Sequence, residues 1–310
     1  MAELKDRYIR FDWAIKRLLR QKANFGVLEG FLTVFLGQEI KILEILESEG
    51  NAESEDEKFN RVDIKAKDSK GEVIIVEVQN TRETYFLERI LYGTSKAITE
   101  HIKLGETYRD VKKIYSISIL YFDLGSGKDY LYEGQTRFIG VHTNDELKLR
   151  RKEGDALKSK TLKTLTAKDI YPTYYLVRVN NFDAVAKSPL EEWMRYLKEG
   201  IIEPDTTAPG LQEARKKLEY YSMSDADRHA YDEHVNAIMI QNDVIGNAKQ
   251  EGLAEGLAKG LEKGRAEGRA EGEINKAIDI ARNLKALGLS LDQIMAATGL
   301  SNEQIISIDN

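Results

Sequence analysis

The segment NRVDIKAKDSKGEVIIVEVQN, residues 60–80, carries the clearest structural pattern in the chain. Two runs rich in β-branched residues, at 60–67 and 72–79, are separated by DSKG, in which Asp68 and Gly71 favour a turn. This arrangement predicts a β-hairpin. The second run, VIIVEVQ, is almost continuously apolar, which is typical of a strand that is buried on both faces of a sheet.

Two polar side chains interrupt this apolar strand. Because side chains alternate along a strand, Glu77 and Gln79 lie on one face of it. An unpaired carboxylate is costly to bury, so Glu77 requires a cation, a proton or several hydrogen-bond donors. On the first strand Asp63 and Lys65 share a face, and the hairpin brings Asp63 close to Glu77. Two converging carboxylates are hard oxygen ligands suited to Mg²⁺ or Mn²⁺.

The segments around the hairpin alternate between helical and strand patterns. Residues 9–19 and 27–35 carry apolar side chains near helical spacing, and Gly37 ends the second of these predicted helices. Residues 83–104 predict a further helix, and KKIYSISILYF at 112–122 is typical of a buried central strand. This order of helices and strands predicts an α/β arrangement of layers.

Composition restricts the function classes. The 310 residues contain no cysteine, which excludes disulfides, thiolate zinc sites and cysteine nucleophiles. No apolar run has the length of a membrane span, and the first residues are too charged for a signal peptide, so we expect a cytoplasmic protein without membrane contact. The net charge of −6 opposes general attraction to nucleic acid, so DNA binding requires a local basic surface. The acidic run at 47–58 is predicted to be a solvated loop.

One local basic segment lies between the strands predicted at 129–142 and 171–179. Residues 148–168 contain eight Lys or Arg and only two acidic residues, Glu153 and Asp155. Such a segment is suited to contacts with backbone phosphates, but an ordinary solvated face has the same composition. Both interpretations stay open.

Glycine recurs at every fourth position from 252 to 272. Each glycine costs a helix about 1 kcal/mol relative to alanine, so this segment would be a weak isolated helix. One interpretation is a helix that pairs along the glycine stripe with a partner such as a second copy of the chain, flanked by Leu253, Leu257 and Leu261. The other is a flexible charged linker.

Helical patterns occupy the rest of the C-terminal part, from about residue 188 onward. Near the end, Ser290 with Gln293 and Ser301 with Gln304 have the spacing of capping boxes. These two pairs predict two short helices after a longer one.

The hairpin acids also carry a resemblance. Asp63, thirteen intervening residues and the triplet EVQ beginning at Glu77 resemble the signature of PD-(D/E)XK nucleases, an Asp and a Glu-x-Lys triplet on adjacent strands of an α-β-β-β-α-β core. The similarity extends to FDWAIKRLL at 11–19, ERILYGTSKAITEHIKLG at 88–105 and IYSISILYFDLG at 114–125. Over most of its length the chain is similar to the Rpn family of recombination-promoting nucleases, also described as PD-(D/E)XK nuclease family transposases.

The resemblance implies an α/β fold with a restriction-endonuclease-like core, a mixed sheet flanked by helices, followed by a helical C-terminal region. We therefore divide the chain into four parts. These are a nuclease-like domain at 1–185, a helical region at 186–247, a glycine-striped helix at 248–276 and a small helical module at 277–310.

The resemblance also implies roles for the hairpin residues. Asp63 and Glu77 would be metal ligands, and the backbone carbonyl of Val78 would complete the protein's share of ligands. Gln79 occupies the place where the family has lysine. Glutamine carries no positive charge to stabilise a phosphate under attack, so either the metal acts alone or another lysine substitutes.

Three lysines are candidates for that substitution. Lys65 is the first, from strand alternation, and Lys16 and Lys96 on neighbouring helices are weaker ones. Asp12 lies four residues before Lys16 on one helical face, so it is a candidate for a first-helix acid at the metal site. An ordinary ion pair on the helix surface explains the same spacing.

The function implied by the resemblance is that of a metal-dependent DNA endonuclease, which hydrolyses phosphodiester bonds with Mg²⁺, or with Mn²⁺ in its place. DNA is the expected partner, and the C-terminal helices are expected to form a homo-oligomer. The alternative is a catalytically weak or inactive protein of the same fold that binds DNA or protein, with Gln79 marking the lost chemistry.

Overall fold

The computed structural model describes residues 8–17, 19, 21–46, 62–100, 107–152, 162–183 and 187–309. The acidic segment 47–58 and the predicted domain boundary at 185 lie outside these described residues. The chain divides into two compact units, Met1–Val235 and Asn236–Asn310.

The strands follow the predicted pattern around the hairpin. The described strands are β1 (Ile42–Leu46), β2 (Ile64–Asp68), β3 (Val73–Gln79), β4 (Ile114–Leu120), β5 (Leu131–Gly134), β6 (Leu149–Lys152), β7 (Leu162–Leu165) and β8 (Thr173–Arg178). Six of them form one mixed sheet in the order β1-β2-β3-β4-β8-β5. The pairs β3–β4 and β4–β8 are parallel, and the other neighbours are antiparallel. The strand β3 therefore lies inside the sheet, as its apolar sequence predicts.

Helices precede the sheet, connect its strands and follow it. The described α-helices are α1 (Phe11–Arg17), α2 (Phe25–Leu36), α3 (Phe86–Glu100), α4 (Pro189–Glu199), α5 (Leu211–Lys217), α6 (Asp225–Ala286), α7 (Leu291–Thr298) and α8 (Asn302–Ile306). Gly37 ends α2 with a φ of 63°, a left-handed conformation that glycine adopts without steric cost. The predicted end of this helix is confirmed.

The turn between β2 and β3 is built by the residues that the sequence singled out. A carboxylate oxygen of Asp68 accepts hydrogen bonds from the backbone N–H groups of Lys70 and Glu72, at 2.9 and 2.8 Å. Gly71 has a φ of 77°. The antiparallel register pairs Ile64 with Val76, so the predicted hairpin is confirmed.

The two faces of the sheet are covered by different helices. Ile74 and Val76 face the main core, which contains residues of α1, α2 and α4. Val73 and Ile75 point to the opposite face and pack with Ala97 of α3. Helices on both faces of a mixed sheet confirm the predicted α/β class.

Part of the basic segment forms a second, two-stranded sheet. The strands β6 and β7 pair antiparallel, with Arg151 opposite Lys163. Arg150, Arg151 and Lys163 are exposed, so this small sheet presents positive charge to solvent. Residues 153–161 between the two strands lie outside the described part of the chain.

The helix α6 contains the whole glycine stripe. It runs across the predicted boundaries at 247 and 276, and its residues 225–235 belong to the first unit. In the second unit both predicted capping boxes are present at the starts of α7 and α8. Ala281 of α6, Ile294 of α7 and Ile305 of α8 pack together in a small apolar cluster.

Among the described residues, no helix combines the length and the apolar character needed to cross a membrane.

Candidate metal-binding and catalytic site

A cavity of about 470 Å³ opens at the end of the β2–β3 hairpin. It lies at the carboxyl end of the parallel strand β3, the sheet edge where ligands bind in open α/β folds. The residues that line this cavity are Lys16, Val62, Asp63, Glu77, Val78, Gln79 and Arg89. Five of these residues are candidates predicted from the sequence: Asp63 and Glu77 as acids, Val78 as a ligand, Gln79 at the motif position and Lys16 as a substitute lysine.

Asp63 directly precedes β2, and extending the hairpin register by one residue beyond the pair Ile64–Val76 places it opposite Glu77. Its Oδ2 atom accepts a hydrogen bond of 2.7 Å from the backbone N–H of Val78. The ammonium of Lys16, on α1, lies 3.6 Å from the Oδ1 atom. Burial raises the pKa of the Asp63 carboxyl, and the Val78 N–H and Lys16 lower it by less, so that it stays above its ordinary value.

Glu77 is buried near the end of β3 and points into the same cavity. Its Oε1 atom accepts a hydrogen bond from a terminal nitrogen of the Arg89 guanidinium. Burial raises the pKa of the Glu77 carboxyl, and the negative charge of Asp63 raises it further. The guanidinium of Arg89 opposes these effects without cancelling them. Because the charge of Asp63 disfavours ionisation of the buried Glu77, the two carboxyls are suited to share a cation.

Gln79 is connected to this pair through a second glutamate. Its Nε2 atom donates to the Oε1 atom of Glu83 at 2.8 Å and to the backbone carbonyl of Thr81 at 3.2 Å. The Oε2 atom of Glu83 in turn lies 2.7 Å from the Nε atom of Arg89. The four side chains therefore form a continuous chain from Gln79 through Glu83 and Arg89 to Glu77.

Arg89 is the cavity residue that the sequence analysis missed. It lies on α3, among the residues that face the sheet, next to the buried Phe86 and Ile90. A charged residue on the apolar stripe of a predicted amphipathic helix was the available signal, because such a charge needs a partner. Its partners could not be identified until the helix was placed against the strand.

Asp12 belongs to a separate buried network and does not line the cavity. Its carboxylate accepts hydrogen bonds from Arg10 Nε and Asn80 Nδ2, both at 3.0 Å, and lies 3.2 Å from His234 Nε2. Burial acts to raise the pKa of the Asp12 carboxyl, but His234, Arg10 and Asn80 together hold it well below its ordinary value. Lys16, four residues later, faces Asp63.

The other two lysines proposed as substitutes for the motif lysine do not line the cavity. The ammonium of Lys65 lies 2.5 Å from the Oε2 atom of Glu100, at the end of α3. Lys96 is also on α3 and is absent from the cavity wall. Of the three candidate lysines, the structure brings only Lys16 to the acids.

The donor set of the cavity fits a hard divalent cation. Among the described residues, no group of three or more His, Asp or Glu side chains is placed to hold a metal ion. The oxygen donors available to a cation at the cavity are the carboxylates of Asp63 and Glu77 and the backbone carbonyl of Val78. This small set suits Mg²⁺, which keeps several waters and commonly binds through one or two carboxylates together with substrate phosphates.

Residues 9–152 match the model of a family described as PD-(D/E)XK nuclease family transposase. The matched segment includes all seven cavity residues. The match confirms the resemblance over these residues and indicates a nuclease-like or transposase-like function, and PD-(D/E)XK nucleases typically use divalent metal ions. The chain has no significant match among curated proteins and none among solved structures.

Proposed function

We propose, from the PD-(D/E)XK nuclease family transposase domain at residues 9–152, that the protein is a metal-dependent DNA endonuclease that hydrolyses phosphodiester bonds. The observation that carries this proposal is that Asp63 and Glu77, from two adjacent strands, line one cavity. Burial raises the pKa values of both carboxyls, and Lys16 and Arg89 oppose this without cancelling it, so an electrostatic penalty is left that a bound divalent cation would remove.

In this proposal Asp63, Glu77 and the carbonyl of Val78 hold Mg²⁺, or Mn²⁺ in its place. The bound ion would polarise a phosphoryl oxygen and lower the pKa of a water molecule. The chain itself supplies the orientation, because the Val78 N–H holds the Asp63 carboxylate against the strand that carries Glu77. The protein also supplies two cations, Lys16 and Arg89, at the wall that a phosphate would approach.

DNA is the proposed substrate although the chain as a whole is acidic. The net charge of −6 requires a local basic surface for contacts with a polyanion. The exposed side chains of Arg150, Arg151 and Lys163 on the β6–β7 sheet provide one such surface. Contacts there would position the substrate without reading its sequence.

We further propose that the protein forms a homo-oligomer through α6. None of the glycines from 252 to 272 has a neighbouring atom within reach of a Cβ in the described chain. The adjacent Leu253, Leu257 and Leu261 are 74%, 75% and 57% exposed. A helix surface with apolar side chains beside a stripe of small residues is suited to close packing against a second helix.

The second candidate function is that of a catalytically weak or inactive member that binds DNA or protein. The ion pair between Arg89 and Glu77 favours it, because the guanidinium occupies an oxygen that a metal ion would use.

Plasmid cleavage separates the two candidates. Purified protein is incubated with supercoiled plasmid and Mg²⁺ or Mn²⁺, beside Asp63→Ala and Glu77→Ala. The exposed acid Glu88, which does not line the cavity, provides the control Glu88→Ala. We expect cleavage by the wild type and Glu88→Ala, and a loss of about a thousandfold in both cavity variants. Equal behaviour of all four proteins would reject the endonuclease proposal.

A further inference from the structure

The strand β3, which carries Glu77, ends at the uncharged Gln79. The Gln79 side chain stands where the family has lysine, and it is already hydrogen-bonded within the protein. Both donor positions of the Gln79 amide are directed at protein acceptors, Glu83 Oε1 and the Thr81 carbonyl. Gln79 therefore has no donor left for a substrate phosphate. Any cation that acts in place of the motif lysine must come from another element.

Arg89 has the position that this role requires. It lines the cavity from α3, and its side chain is 27% exposed, so that a ligand in the cavity can reach it. The Oε2 atom of Glu83 forms an ion pair with its Nε atom at 2.7 Å, without a hydrogen bond, and Glu77 accepts a hydrogen bond from a terminal nitrogen. The guanidinium also lies 5.0 Å from the centre of the buried Phe86 ring, a cation–π distance. Three contacts therefore fix its orientation.

The guanidinium also keeps unused donors. Among the described residues, the Nε and Nη2 atoms of Arg89 are both buried, and neither has a hydrogen-bond partner. A buried donor without an acceptor is unfavourable and uncommon, so its presence at a cavity wall points to a ligand that completes it. The planar fork of arginine matches two oxygens of a phosphate group.

The lysines near the hairpin are less suitable. The Lys16 side chain is 47% exposed, and its ammonium lies at a loose 3.6 Å from Asp63. The Lys65 ammonium is engaged by Glu100. Of Lys16, Lys65 and Arg89, Arg89 is the cation that forms an ion pair with Glu77.

We infer that Arg89 supplies the positive charge that the motif lysine would supply, by contacting the phosphate that is cleaved, and that Glu83 and Gln79 are positioning residues that hold it. This inference rests on the proposed endonuclease function. It requires the guanidinium to release or share Glu77 when the phosphate enters, and the contact with Glu83 keeps it in place during that exchange.

The test compares Arg89→Gln and Arg89→Lys with a matched control. Arg195 on α4 also pairs with two glutamates, Glu199 and Glu203, but lies outside the cavity, so Arg195→Gln makes the same change to a similar ion pair. Two quantities are measured. These are the single-turnover rate of DNA cleavage with Mg²⁺, and the salt dependence of DNA affinity by fluorescence anisotropy in EDTA.

We expect Arg89→Gln to lower the maximal cleavage rate by about 10²-fold to 10³-fold, as the loss of one charge-stabilising donor does. The slope of log affinity against log salt should fall by about 1, the loss of one phosphate contact. Arg89→Lys, which keeps the charge, should recover part of the rate, and Arg195→Gln should match the wild type. For the positioning role, Glu83→Gln and Gln79→Ala should lower the maximal rate by about tenfold with little change in KM.

Two results overturn the inference, and they differ from failure of the proposed function. If the wild type cleaves and Arg89→Gln cleaves equally well, Arg89 has no such role while the endonuclease proposal stands. If the wild type does not cleave, the proposed function fails, and an unchanged salt slope in Arg89→Gln then rejects the phosphate contact as well. Thermal melting of each variant identifies a loss of cleavage that is due to unfolding. If Arg89→Gln does not fold, the cleavage rate of the folded Arg89→Lys variant tests the inference instead.

Discussion

The backbone N–H of Val78 donates a hydrogen bond of 2.7 Å to the Oδ2 atom of Asp63. This bond ties the acid that precedes β2 to the residue that follows Glu77 on β3. The two carboxylates are therefore kept at one cavity by the hairpin itself, before any ligand binds. The cost of this placement is the burial of two negative charges, which has consequences for stability.

The first prediction is that Asp63→Asn stabilises the metal-free protein at neutral and alkaline pH. Burial raises the pKa of the Asp63 carboxyl in the folded state, so the folded protein binds its proton more tightly than the unfolded chain does. The ionised carboxylate therefore destabilises the fold above this raised pKa, and the penalty disappears as the pH falls through it. Urea unfolding in EDTA should show that the Asp63→Asn variant is more stable than the wild type at pH 8, with the difference shrinking toward pH 4. A difference that grows on acidification would contradict the assignment.

The second prediction concerns Lys65. Because its ammonium lies against Glu100 and not in the cavity, Lys65→Met should leave the cleavage rate within about twofold of the wild type. Glu100→Gln is the partner control and should behave alike in cleavage. A loss of about a hundredfold in Lys65→Met, with an unchanged melting temperature, would return Lys65 to the catalytic role that strand alternation predicts.

The third prediction concerns the motif position. Gln79→Lys places an ammonium beside Glu83, where it competes with Arg89 for the same carboxylate. If Arg89 already supplies the charge, restoring the family's lysine should not accelerate cleavage and should slow it by a few fold. Single-turnover rates of Gln79→Lys and of Gln79→Lys combined with Arg89→Gln measure this. A large gain in the single variant would mean that positive charge is missing from the natural site.

The fourth prediction separates a paired helix from an isolated one. Gly256→Ala with Gly260→Ala should raise the helix propensity of α6 by about 1 kcal/mol per position. If α6 packs against a second copy along the glycines, the added methyl groups hold the two backbones apart. Light scattering of the full chain should then show a lower mass while circular dichroism shows no loss of helix. Glu262→Ala, away from the stripe, is the control, and an unchanged mass in the glycine variant would exclude pairing along this face.

Much of the hairpin and its acids could be predicted from sequence because local rules determine them. Turn residues fix where β2 ends and β3 begins, and the period of two fixes which side chains share a face. The proximity of Asp63 and Glu77 across the hairpin follows from these rules alone. The buried position of β3 follows from its almost continuously apolar sequence.

The charge partners could not be predicted in the same way. Lys65 shares a face with Asp63, but two residues along a strand are separated by roughly 6.6 Å, and α3 covers that part of the sheet. Arg89 reaches Glu77 only because α3 packs back on β3, a tertiary contact that no local pattern specifies. For Asp12, helical spacing pointed to Lys16, whereas its partners are Arg10, Asn80 and His234, of which Asn80 and His234 are distant in sequence.

Joint cation binding by Asp63 and Glu77 is tested most directly by calorimetric titration of Mn²⁺ into the 310-residue protein, beside Asp63→Asn, Glu77→Gln and the exposed control Glu88→Gln. If Asp63 and Glu77 jointly hold a cation, the wild type and Glu88→Gln should each show one site, and both cavity variants should lose it. Equal Mn²⁺ binding by all four proteins would contradict the account, because the two acids would then share a cavity without sharing a metal ion.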